Sequence, residues 1–211
     1  MGRLDVILFD LDNTLYHPAS GLLEAGDRAI TQFISRRLGM PRDEADRLRL
    51  RTWREYGATA RGLELEFGVP QREFFAGSIE RVPVQEYIKE RPELREMLAS
   101  LPQRLYVFTN APSAYAERTL RALGIADVIA GVFDIETTGG EPKPQCRCYD
   151  RVVEAVGAPA ERVALLEDTE ANLEPAAELG MVTIKIGPPP PLGEHLYLED
   201  LLDLPKLLGA A

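Results

Sequence analysis

Asp10 and Asp12 stand two residues apart at the close of an apolar run, in the stretch "LFDLDNTL". Later in the chain, similar runs also close on polar groups: Thr109 and Asn110 after "RLYVF", and Glu167 with Asp168 after "RVALL". Lys143, in "GEPKP", precedes another helix-length stretch. Taken singly, each has an ordinary explanation as a turn, cap or surface-loop residue. Their order and their equivalent positions make one constellation out of them.

That constellation fits the cleavage of a phosphate monoester, whose anionic centre repels nucleophiles and whose alkoxide leaves poorly. Asp10 is placed to attack phosphorus and form an aspartyl-phosphate, splitting one difficult step into two. Asp12 is placed to protonate the leaving oxygen and then to take a proton from water. Asp10, Asp12, Glu167 and Asp168 cannot crowd together as anions beside a dianionic substrate without compensation. Oxygen-only ligands point to Mg²⁺, held by the Asp10 carboxylate, the backbone carbonyl of Asp12 and Asp168. Lys143 adds a fixed positive charge, and Thr109 with the amide of Asn110 would hold the remaining phosphate oxygens.

The elements that must position these residues are legible as short apolar runs. "DVILFDL" at 5–11, "RLYVFTN" at 104–110, "RVALLED" at 162–168 and "MVTIKIG" at 181–187 read as strands, with "GVFDIE" at 131–136 a weaker fifth. Continuous apolar runs of this length suit parallel strands covered by helices. Helix-length stretches between them stop at Gly124, Gly157 and Gly180. The rhythm predicts an α/β fold with a doubly wound, Rossmann-like parallel sheet.

About ninety residues separate the first two strands, and within them three or more helical patterns are punctuated by Gly39, Gly57 and Gly68. This predicts a helical cap domain over 19–87, inserted into a core formed by 1–18 and 88–211, with hinges near 16–20 and 82–92. Trp53 is expected in the core of the insert. Pro175 suits a first helical turn, which places the helix start near Asn172 with 169–171 as a loop. "PPPP" at 188–191 reads as a stiff connector. "YLEDLLDLPKLLG" reads as a short helix packed on the sheet.

The stretches "DLDNTLY", "FTN", "EPKP" and "LLEDTEANLEPAAELGM" resemble, in order, the four signature motifs of the haloacid dehalogenase superfamily. "DLDNTLYHPASGL" and "YGATARGL" resemble the pyrimidine 5'-nucleotidase group within it. The resemblance implies a phosphatase acting on pyrimidine nucleoside 5'-monophosphates. It leaves open another small substrate such as phosphoglycolate or a sugar phosphate, a sugar phosphomutase, or an idle binding protein. A dehalogenase needs no proton donor at the second aspartate, so Asp12 speaks against that reaction. Asn172 matches the superfamily's position for supporting the metal waters or Lys143. Tyr56 and Arg61, in the family-like stretch of the insert, are the expected substrate contacts. Glu167 stands where an aspartate is common, and a longer-reaching supporting role suits it.

At 211 residues and 45% hydrophobic, the chain can bury a sizeable core. Its formal net charge of −10 excludes a general nucleic-acid binder. An anionic substrate must then be met by a local cation. Two cysteines and two histidines are too few for a disulfide framework or a zinc cluster, and Cys146 and Cys148 are expected to serve helix packing. With no long apolar run and no secretory segment in "MGRLDV", the expectation is a cytoplasmic monomer or weak dimer without membrane partners.

Overall fold

The computed structural model describes residues 3–188 and 195–209. β1 (Val6–Phe9), β2 (Arg104–Phe108), β3 (Gly131–Phe133), β4 (Val163–Glu167), β5 (Val182–Ile186) and β6 (Leu196–Leu198) form one sheet in the spatial order β3-β2-β1-β4-β5-β6. Every pairing is parallel. This is the doubly wound α/β arrangement that the apolar runs predict.

Alternation along the strands generates the layers. Ile7 and Phe9 of β1, with Ala164 and Leu166 of β4, enter one apolar cluster; Val6, Leu8, Val163 and Leu165 enter the other. The first cluster receives α5 (Pro92–Ser100) and α6 (Ser113–Leu123), the second α7 (Cys146–Val156) and α8 (Glu170–Glu178). In α6 the buried residues Tyr115, Ala116, Thr119, Leu120 and Leu123 recur with the helical period, which is why one face of that helix seats on the sheet.

Between β1 and β2 lie α1 (Leu22–Leu38), α2 (Arg42–Tyr56), α3 (Thr59–Phe67) and α4 (Gln71–Gly77), followed by short 3₁₀ turns. Ile34, Leu48, Leu63 and Phe74 from these helices belong to the same apolar cluster as Ile7 and Phe9. No helix among the described residues is long and apolar enough to cross a membrane.

Four expectations need correction. The strands are shorter than the apolar runs, ending at Phe9, Phe108, Glu167 and Ile186, although the N–H groups of Asp10 and Thr109 still donate across to the carbonyls of Leu166 and Phe133. β6 was not foreseen in "YLEDLLDLPKLLG"; it pairs with β5 ahead of a 3₁₀ turn and the short α9 (Leu204–Leu207). α8 begins at Glu170, so Pro175 lies inside the helix. The backbone bond that proline forfeits would have gone to the carbonyl of Ala171, an exposed residue whose carbonyl can meet water instead. Trp53 is 48% exposed and lies outside the core. Of the "PPPP" stretch, Pro189–Pro191 fall outside the described residues.

The contact between α2 and α3 depends on one missing side chain. A Cβ on Gly62 would stand 2.5 Å from Cβ of Thr52 and 2.8 Å from Cδ2 of Tyr56. Thr52 cannot retreat, since it is buried and its hydroxyl donates to the carbonyl of Leu48 at 2.8 Å. Gly62→Ala should therefore destabilise the protein by about 1–3 kcal/mol through overpacking, read as a lower urea midpoint. An unchanged midpoint would mean that the two helices are free to separate.

Candidate active site

Strand register brings the chemistry together. Phe9 is level with Val107 on one side and Leu166 on the other, so the next residues along, Asp10, Phe108 and Glu167, emerge side by side at the carboxyl edge. In an open parallel sheet this edge, where neighbouring connections diverge, is where a crevice forms.

Lys143 reaches into that edge from the loop before α7. Its Nζ donates to Asp10 Oδ1 at 2.7 Å, to Glu167 Oε2 at 2.5 Å and to the carbonyl of Phe108 at 2.8 Å. The ammonium also lies 5.0 Å from the centre of the Phe108 ring. Asn110 fixes the lysine's backbone: its side chain accepts from the Lys143 N–H at 2.7 Å and donates to the Lys143 carbonyl at 3.0 Å. Glu167 is pinned in turn by the N–H of Thr169, at 3.1 Å from Oε1.

Asp12 faces two tyrosines. The hydroxyls of Tyr16 and Tyr115 both donate to its Oδ1, the latter at 2.9 Å. Asn13 holds a left-handed conformation at φ 61°, which asparagine tolerates better than most residues, and its amide donates to Asp168 Oδ2 at 3.4 Å. Thr109 Oγ1 accepts from the N–H of Ala111 at 3.0 Å.

Asp10, Asp12, Thr109, Asn110, Lys143, Glu167, Asp168 and Asn172 all line one cavity of about 330 Å³. Tyr56 and Arg61 do not. Tyr56 packs against α3 and bonds Glu66, and Arg61 lies round α3 from the cavity-lining Thr59 and Ala60, paired with Glu64 at 2.9 Å. In their place α2 presents Arg49 and Trp53, one turn apart. Arg49 donates to Asp27 Oδ1 at 2.7 Å and to Asp46 Oδ1 at 3.0 Å. Cys148 is buried on α7, where burial pushes its thiol up to about 12, and Cys146 is exposed. Neither lines the cavity.

The electrostatics call for a cation. Burial and the neighbouring Glu167 raise the Asp10 carboxyl well above its ordinary range, against the pull of Lys143. Burial and Glu167 lift Asp168 to about 7. Burial lifts Asp12, against the two tyrosine hydrogen bonds. Burial alone would strip the proton from Lys143, but its two carboxylate partners more than reverse this and raise it. One oxygen from each of Asp10, Glu167 and Asp168 lies within 4.8 Å of the others, and the carbonyl oxygen of the Asn13 side chain is buried with no partner. An all-oxygen, carboxylate-rich set of this kind fits a hard divalent cation such as Mg²⁺.

A family model described as haloacid dehalogenase-like hydrolase matches residues 4–180. Phosphate metabolism protein 8 of Saccharomyces cerevisiae is 32% identical over 138 residues, spanning 60% of this chain and 42% of the yeast protein. The chain thus spans less than half the length of that curated relative. Among solved structures, a predicted phosphoglycolate phosphatase from Haemophilus somnus is 19% identical with TM-score 0.70, covering 99% of both chains. An L-2-haloacid dehalogenase from Xanthobacter autotrophicus is 14% identical with TM-score 0.62, covering 98% of both. At these identities the two structures speak for the fold alone.

The crowding has a measurable cost. A carboxyl whose folded pKa exceeds its unfolded value holds its proton more tightly when folded, so stability falls as pH rises between the two values. For Asp168 the penalty is absent below its ordinary value of 3.8 and complete above about 7. At pH 8, Asp168→Asn should therefore raise the metal-free melting temperature by roughly 2–6 °C, at about 2–4 °C per kcal/mol. Millimolar Mg²⁺ should raise the melting temperature of the parent protein further, and the same variant should shrink that rise. A lower metal-free melting temperature would mean that the carboxylate is not under strain.

Proposed function

This chain belongs to the haloacid dehalogenase-like hydrolase family, and from that premise we propose that it is a Mg²⁺-dependent phosphomonoester hydrolase. Pyrimidine nucleoside 5'-monophosphates are the substrates the motifs favour. The observation that carries the reading is the convergence of Asp10, Asp12, Lys143 and Asp168 on one cavity. Lys143 engages Oδ1 of Asp10 and pulls against the burial that raises its carboxyl, leaving Oδ2 to meet phosphorus; a bound cation would complete the ionisation that the lysine alone does not secure.

In the first step Asp10 Oδ2 bonds to phosphorus while the bond to the leaving oxygen breaks, and Asp12 gives that oxygen a proton. In the second, Asp12 takes a proton from water, whose oxygen attacks phosphorus. Inorganic phosphate leaves and the Asp10 carboxylate is restored. Tyr16 and Tyr115 hold Asp12 Oδ1, so its proton travels on Oδ2. Asp10, Asp168 and the backbone carbonyl of Asp12 would hold the divalent cation, which when bound supplies positive charge against the phosphoryl oxygens. Thr109 and Asn110 sit where those oxygens would lie, and Asn172 supports the metal side. The helical segment 19–87 acts as a cap over the core of 1–18 and 88–211, excluding water and contacting the leaving group.

Phosphate release from UMP and CMP should require Mg²⁺ and stop on chelation. Asp10→Asn should abolish turnover, and Asp12→Asn should lower kcat by roughly 10²–10⁴-fold, the usual worth of a proton carrier. Full activity in the Asp10 variant would remove the nucleophile and the reading with it.

A further inference from the structure

The cavity has two unlike ends. At the sheet edge four carboxylates face one ammonium. At the other end, beneath α1, α2 and α4, the lining is apolar: Leu23, Ile30, Leu50, Phe74 and Ile79, with Trp53 beside them. Trp53 is 48% exposed, an indole left half uncovered on a wall where a ligand's leaving group would lie.

Arg49 is the cation of this apolar end, and its charge is already answered. Its side chain is 13% exposed, with Nη1 on Asp27 and Nε on Asp46. Asp46 is further held by the hydroxyl of Thr31 at 3.1 Å. Two carboxylates on one guanidinium leave this end slightly negative. A leaving group carrying a carboxylate or a second phosphate would enter against that charge and lose water in an apolar chamber, where, among the described residues that line it, Arg49 is the cation and is already paired. An uncharged group with a flat apolar face meets neither obstacle.

We propose that the apolar end of the cavity, through Trp53 and the neutralised Arg49–Asp27 pair, selects phosphomonoesters whose leaving alcohol is uncharged and carries a planar ring. The inference rests on the phosphatase reading and narrows it. It separates nucleoside-like leaving groups from small acidic ones such as glycolate. Trp53 supplies a stacking face, and Asp27 with Asp46 keeps Arg49 from acting as an anion receptor.

The test compares kcat/KM, with Mg²⁺ present, for benzyl phosphate, cyclohexylmethyl phosphate and phosphoglycolate. All three leave as alkyl alcohols, so the comparison reads recognition rather than leaving-group chemistry. The parent protein should prefer benzyl phosphate to phosphoglycolate by tenfold or more, on the order of one unfavourable charge contact. Trp53→Leu, apolar but not flat, should bring the benzyl-to-cyclohexylmethyl ratio down roughly tenfold, toward one, and Trp53→Phe should keep most of it. Asp27→Asn with Asp46→Asn should raise phosphoglycolate relative to benzyl phosphate by about tenfold as Arg49 is freed. A parent preference for phosphoglycolate, or equal losses on all three substrates in Trp53→Leu, overturns the selectivity while leaving a phosphatase standing. No phosphate from any of the three while UMP is hydrolysed overturns this inference alone; no phosphate from UMP either overturns the phosphatase reading, and this inference with it.

Discussion

A single buried ammonium organises the catalytic edge. Lys143 is 1% exposed, and its three protons go to Asp10, Glu167 and the carbonyl of Phe108. A lysine has three donors and no acceptor, so none is left over. A buried charge of this kind is tolerated only when it is paired and hydrogen-bonded, because an unpaired ion costs several kcal/mol by desolvation. Its acceptors come from three adjacent strand ends, which makes the lysine a reporter of sheet register. Slipping β4 by one residue so that Leu166 stands where Glu167 does would offer the ammonium an aliphatic side chain.

Neutrality stops at that triad. Asp12 and Asp168 have only neutral donors, two tyrosine hydroxyls for one and the Asn13 amide with the Thr169 hydroxyl for the other. The site is therefore short of positive charge in a protein whose formal charge is already −10. An anionic substrate can enter only with added cation. The buried, partnerless oxygen of Asn13 lies on the same wall, where a hydrated cation would give it a donor. The helical segment closes the other side by backbone contact. Gly57, at φ 79°, lets the turn between α2 and α3 approach the Lys143–Pro144 loop so closely that a Cβ there would stand 2.6 Å from the Lys143 carbonyl. The helical wall of the cavity is thereby fixed to the same loop that holds the ammonium.

The parts legible in sequence were those buried on both sides. β1 and β4 are nearly unbroken apolar runs because helices cover both faces, β2 and β5 keep enough of the pattern to be seen, and the polar residues at the strand ends stand out as interruptions. β6 was not, since three residues at the sheet edge, running from exposed Leu196 to buried Leu198, are too few to carry such a pattern. Trp53 and Arg49 were misjudged or missed for another reason. Periodicity assigns a residue to a helix face but cannot tell a face that meets the core from one that meets a cavity, and an arginine in a charged helix reads as solvated. Tyr56 and Arg61 drew notice through their neighbours in the motif, yet Tyr56, at the end of α2, packs against α3, and Arg61 lies round α3 from the cavity lining. The tyrosines on Asp12 were half hidden: Tyr16 is four residues away, but Tyr115 is 103 residues distant and reaches it only through the fold.

A relative with this architecture is a haloacid dehalogenase and another carries a phosphatase description, so the sheet itself does not choose the reaction. The choice falls to the residues at its edge, and then to the helices above it. Asp12, held by hydroxyls rather than paired with a cation, keeps Oδ2 clear of both tyrosines beside Asp10; a halide needs no proton on leaving, whereas an alkoxide does. Beyond Asp12 the edge can recognise only the phosphate, which every monoester shares. Discrimination must come from surfaces that touch what differs between substrates, and in this chain those surfaces belong to α1, α2 and α4. The two tasks lie on different parts of the chain. The leaving-group wall can therefore vary without disturbing the register that holds Lys143, provided that the close approach at Gly57 is kept.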